Sequence, residues 1–289
     1  MSTSRLEQPT GGELLSNPAK KFLQFKNYYT KESITVKGKK KEVKVFDKCG
    51  FTWAEKIDEE WVNHEVDLPL EFAIINGDWV SFKGWNEEEK TMYYSNEVKD
   101  AKSVISIRNK EGIVYEFTLN DMWGKVEGSK VKDEAKSKLV KSKLKALNVK
   151  QHSSIYVGMK NDEGNYELVN FQLKGANLSG SKNEDHKPSG WWNVSKALKA
   201  AKKIYTYNIQ MNDWITEDGE LGEYGVVNWT LGDPLTSEQN EELEVLYNDL
   251  LKYHEYYTSK NTAAPVAEAV SEPVAEPVAA TEEDDELPF

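Results

Sequence analysis

Hydrophobic and polar positions alternate through short stretches of the first 175 residues, with the two-residue period of half-buried strands. Such stretches fall at 22–29, 34–46, 71–85, 91–98, 104–109, 114–119, 154–160 and 168–174. Turn-rich pieces such as Asn109-Lys-Glu-Gly112 separate them, as hairpin loops require. One segment, 132–147, switches to helical spacing, with Ala135, Leu139, Val140, Leu144 and Leu147 as its apolar stripe. Strands, one helix and a closing hairpin predict a mainly β body with helical additions. The order is that of an OB-type antiparallel barrel, extended because the strands exceed five; a different antiparallel barrel fits the pattern nearly as well.

After a polar link at 176–190 the pattern predicts a helix near 194–203, strands at 204–210 and 226–231, and a long helix at 237–257. Leu243, Leu246, Leu250 and Leu251 follow helical spacing there, and Thr236 or Ser237 is placed to cap it. The chain thus divides into a polar arm (1–18), an OB-type body (19–175), a C-terminal elaboration (176–260) and an acidic tail (261–289). The tail repeats Ala, Pro, Val and Glu, a composition that cannot bury a core.

Charge changes this picture through its distribution. The formal net charge is −12, but the last 29 residues hold eight acids and no base. Set aside, they leave about −4 on a lysine-rich remainder, which does not exclude nucleic acid. Between 125 and 150 nine lysines face three acids. Cys49 is the only cysteine, which rules out an intrachain disulfide and suits a reducing cytoplasm. No apolar run is long enough to span a membrane. The four histidines are scattered, and no catalytic, metal-ligating or cofactor-binding pattern stands out, so a non-enzymatic binding protein is expected.

A single-strand binder needs aromatic faces for bases and cations for phosphates. In the stretch 79–85 alternation puts Trp79, Ser81, Lys83 and Trp85 on one face and Val80 and Phe82 on the core side. Ile105 and Ile107 leave Arg108 opposite them. Ile155, Val157 and Met159 leave Tyr156 and Lys160 opposite. Of Tyr93 and Tyr94, only one can lie on the outer face. Trp123, Lys125 and Lys130 complete the candidate surface. Each of these aromatics is equally a core candidate. Trp191-Trp192, followed by Lys196, Lys199, Lys202 and Lys203, forms a second candidate patch.

The segment Glu283-Asp-Asp-Glu-Leu-Pro-Phe289 resembles the acidic tip of bacterial single-stranded DNA-binding proteins, with Leu287 where Ile is usual. Asn17-Pro-Ala-Lys-Lys-Phe-Leu-Gln-Phe-Lys26, Tyr28-Tyr-Thr-Lys-Glu32 and Tyr94-Ser-Asn-Glu-Val-Lys-Asp100 resemble phage-type single-stranded DNA-binding proteins. Phe25 stands where those often carry Trp, and Thr30 where they often carry Asp. The resemblance implies sequence-tolerant binding of single-stranded DNA in replication, recombination and repair. It also implies recruitment of partner enzymes through Asp284, Asp285, Glu286, Leu287, Pro288 and Phe289. The alternative is a β-rich adaptor or inhibitor that docks replication enzymes without touching DNA.

Overall fold

The computed structural model describes residues 17–36, 39–57, 60–181, 189–219 and 222–262. The arm up to residue 16 and the tail from 263, with its tip, lie outside the described residues. The chain builds β1 (Lys21–Val36), β2 (Lys39–Ile57), β3 (Glu60–Val66), β4 (Leu70–Asn86), β5 (Thr91–Ser95), β6 (Val104–Asn109), β7 (Gly112–Thr118), β8 (Lys150–Lys160) and β9 (Tyr166–Leu173). These form one sheet in the order β3-β2-β1-β9-β8-β4-β5-β6-β7. The β1–β9 pairing is parallel and the others on this path are antiparallel. β10 (Tyr207–Met211) adds to β4, and β13 (Thr230–Pro234) adds to β10. β11 (Trp214–Gly219) and β12 (Gly222–Val227) make a separate hairpin.

The sheet is mainly β with helical additions, as the pattern predicts, but it is not closed into an OB-type barrel. The hairpin strands β1 and β2 and then β3 continue the sheet outward from β9. They occupy the edge that a closing strand would need, and β3 and β7 end the path on opposite sides. The alternation missed this because 47–66 (DKCGFTWAEKIDEEWVNHEV) mixes charges with its apolar residues, which hides most of β2 and all of β3.

Five helices accompany the sheet among the described residues: α1 (Leu119–Trp123), α2 (Glu134–Ala146), α3 (Ala176–Ser179), α4 (Trp191–Ala200) and α5 (Ser237–Thr262). α2 starts where Asp133 accepts a hydrogen bond from the Lys136 backbone N–H at 2.9 Å. Only part of the expected stripe is buried. Val140 and Leu144 pack inward, whereas Leu139 is 59% exposed, because a short helix laid on a sheet buries a narrow face. α5 begins with a reciprocal cap: Thr236 Oγ1 accepts from the Gln239 backbone, and the Thr236 backbone donates to Gln239.

Paired residues in neighbouring strands share a face, so the register sorts every side chain. The inner face carries Leu23, Phe25, Phe51, Phe72, Ile155, Val157, Val169 and Phe171. Ile209 and Met211 of β10 extend it, and Leu178, Trp191 and Val227, also from the segments after residue 175, pack on it. Farther along the same face Val80, Phe82, Ile105, Ile107 and Phe117 are covered by α1 and α2. Residues after 175 therefore fill the same core as the body. The register of β4 shifts around Asn76 and Trp79, where Asp78 has a left-handed φ of 65°, so one strand serves both core regions.

Candidate nucleic-acid interface

The outer face of the sheet is divided. At one end α5 lies on it, and Ala73, Ile75, Tyr156 and Leu168 form a core with Leu243 and Leu250. Beyond α5 the face is polar, and its cations fall in rows across the strands. Lys83 on β4 pairs with Lys150 on β8 and with Tyr94 on β5, and Tyr94 pairs with Arg108 on β6. Ser81 pairs with His152 on β8. Gln172 on β9 pairs with Ser154 on one side and Gln24 on β1 on the other. Two residues further along those chains come Lys174 and Lys26, on the same face. Tyr28 then pairs with Lys48 on β2, whose ammonium lies 5.3 Å from the Tyr28 ring centroid.

Lys26, Lys48, Lys83, Arg108, Lys150 and Lys174 thus share one side of one sheet. From β2 to β6 there are six strand spacings, or about 29 Å. Tyr28, Tyr94 and Trp85 stand among them, and Trp85 pairs with Met92. Tyr94 is exposed, whereas Lys83, Trp85 and Arg108 are half-buried, as side chains on an open sheet face are. Acids also enter this region: Glu65 pairs with Lys48 at 3.0 Å, Glu116 accepts from Ser106 at 2.6 Å, and Glu97 accepts from Ser154 at 2.5 Å. His152 is held well below the ordinary imidazole range, first by burial and then by Lys174, Lys83 and Lys150 around it.

Of the sequence candidates, Lys83, Trp85, Tyr94 and Arg108 come together here. The others do not. Tyr93, 3% exposed, points into the α1–α2 core and donates its hydroxyl to Glu89. Tyr156, 1% exposed, lies under α5 and donates to Glu97 at 2.9 Å. Trp79 stacks on His254 of α5, with centroids 3.9 Å apart and planes within 8°. A stacking role for these three is corrected: alternation put Trp79 and Tyr156 on the outer face rightly, but α5 covers them. Trp123 packs against the α1–α2 core on the opposite side of the sheet, with the Lys125 ammonium 4.7 Å from its ring. Lys130 is exposed in the loop that joins α1 to α2. Lys160 sits at the far end of β8, its ammonium 5.6 Å from the Tyr166 ring. Ten residues of strand separate it from Lys150, about 33 Å.

The second candidate patch also splits. Trp191 is fully buried against Trp229, while Trp192 is exposed. Lys199 pairs with Asp78, and the Lys203 ammonium lies 5.0 Å from the Tyr207 ring. Lys150 ended the lysine run in the sequence, but Lys26, Lys48 and Lys174 went unmarked as site residues. The signal for Lys150 and Lys174 was alternation. Lys150, His152, Ser154 and Tyr156 form one register, and Lys174 continues that of Asn170 and Gln172. Cys49 is buried, which pushes its thiol up to about 12 and leaves it inert at neutral pH.

Comparisons with protein-family models, curated proteins and solved structures returned no match.

Proposed function

We propose that this chain binds single-stranded DNA, with little sequence preference, on the open part of its outer sheet face. The observation that carries this reading is the row of six cations, Lys26, Lys48, Lys83, Arg108, Lys150 and Lys174, with Tyr28, Tyr94 and Trp85 among them. Phosphates pair with the cations and release counterions. Bases stack on the rings, each for roughly 1–3 kcal/mol. Duplex DNA hides its base faces, so these rings give single strands the advantage. A track of about 29 Å fits the range of about 4–16 nucleotides for such surfaces. α5 covers the other end of this face, which leaves its open part to the strand.

The acidic segment ending Leu287-Pro288-Phe289 would recruit replication and recombination enzymes. A partner would bury the Phe289 ring while Asp284, Asp285 and Glu286 meet its cations. Labelled oligo-dT and the matching duplex, titrated at low and moderate salt, test the DNA reading by anisotropy. Tight, salt-weakened binding of the single strand, reduced in a Lys83→Gln/Arg108→Gln double variant, is expected. No binding to oligo-dT overturns the reading and leaves the adaptor.

A further inference from the structure

Ser81 is the one side chain in the cation rows whose burial is complete and whose polar atom has nothing to bind. It is 1% exposed, and its Oγ has no hydrogen-bond partner among the described residues. A buried hydroxyl left unpaired is costly, so a native site that keeps one calls for an explanation. Directly across the β4–β8 ladder stands His152. Lys83 follows Ser81 by two residues on β4, Lys150 precedes His152 by two on β8, and Lys174 reaches the same imidazole from the end of β9. The next row along holds Glu97, which already accepts from Ser154 at 2.5 Å and Tyr156 at 2.9 Å. A hydroxyl, an imidazole and three ammonium groups converge from three adjacent chain segments, and the carboxylate beyond them is engaged elsewhere.

We infer that Ser81, His152, Lys83, Lys150 and Lys174 form a seat for one phosphodiester of the bound strand, and that seating it draws a proton onto His152. The inference rests on the single-strand reading of this face and fixes one point on it. Elsewhere on the track a cation meets a phosphate as a point charge, but here Ser81 donates a hydrogen bond as well. The linkage follows from charge. In the free protein burial and the three lysines keep the imidazole neutral at pH 7. A phosphate among the lysines offsets their field and offers the imidazolium an acceptor. Its pKa then rises on binding, and the complex holds a proton that the free protein lacks. Affinity must rise as pH falls through the bound-state value toward the free-state value, about tenfold for each unit between them.

The test follows the His152 ring by NMR across a pH series, free and with oligo-dT, beside binding curves for wild type, Ser81→Ala and His152→Gln. The seat predicts a His152 titration moved upward by the oligonucleotide. It predicts wild-type affinity that grows on acidification, a flattened profile for His152→Gln, and a loss of about tenfold for Ser81→Ala. Because Ser81→Ala keeps the strand pairing, its loss does not depend on His152→Gln folding. Bound oligonucleotide that leaves the His152 titration unmoved overturns the seat while the face stands. Inorganic phosphate that moves His152 as far as the oligonucleotide does marks an independent anion site and overturns its assignment to the strand. No binding of oligo-dT at any pH overturns the face and the seat together.

Discussion

The two ends of the outer sheet face begin from the same kind of sequence and finish in different states. In both, β4 and β8 alternate apolar residues toward the inner core with polar or aromatic residues on the other side. At one end α5 comes down on that second side. Trp79 stacks on His254, Tyr156 closes over Glu97, and Leu243 and Leu250 complete a third core. At the other end no helix arrives among the described residues, and Lys83, Lys150, Tyr94 and Arg108 stay on the surface. An aromatic residue on the outer face of a strand is therefore not a ligand surface by position alone. A helix that begins 77 residues after the end of β8 selects its role.

The largest expected effect breaks the covered end. Leu250 is fully buried, so Leu250→Ala should cost about 2–5 kcal/mol, read by urea unfolding. Oligo-dT affinity of the folded fraction should be unchanged. Tyr94→Ala tests the open end in the opposite sense. A ring at the sheet surface, 41% exposed and outside the apolar cores, should change stability by no more than about 0.5 kcal/mol. If it stacks a base, binding falls by roughly 1–3 kcal/mol. A loss of stability without a loss of affinity at Tyr94 would erase the contrast.

How the two ends differ was only half legible in the sequence. Period-two alternation placed Val80 and Phe82 against Ser81, Lys83 and Trp85, and Ile105 and Ile107 against Arg108, because burial on one face is a local property of the strand. Helical spacing located α5, and Thr236 or Ser237 at its start located its cap. Which face α5 would cover is a tertiary fact that no window of sequence contains, so Trp79 and Tyr156 read the same as Tyr94. The lysine run at 125–150 drew attention for its density, yet α2 packs on the inner face and carries most of those lysines away from the outer one. Only Lys150, where the run becomes β8, reaches the site. Lys26, Lys48 and Lys174 join it through strand pairings between residues more than 100 positions apart or in an unrecognised strand.

Charge sharpens the comparison further. Replacing Lys83 by Gln should lower the slope of log affinity against log salt by about 0.7 and weaken all base compositions equally, whereas Lys160→Gln should leave the slope unaltered. The smallest effect concerns pH at the covered end. His254 is held below its ordinary 6.5, mainly by its burial between α5 and the sheet. A base with a depressed folded value stabilises the fold fully above about pH 6.5 and withdraws that stability as pH falls toward the folded value. Hydrogen-exchange protection along α5, corrected for the intrinsic exchange rate, should fall on acidification through that window, and His254→Phe should flatten the response.

The central claim is that the strand lies on the open end of one sheet face, and lysine acetylation footprinting by mass spectrometry tests it most directly. Oligo-dT should protect Lys26, Lys83, Lys150 and Lys174 and leave Lys125, Lys130 and Lys160 as reactive as before. Protection of Lys125, Lys130 or Lys160 with Lys83 and Lys150 unprotected would place the strand elsewhere and contradict the account.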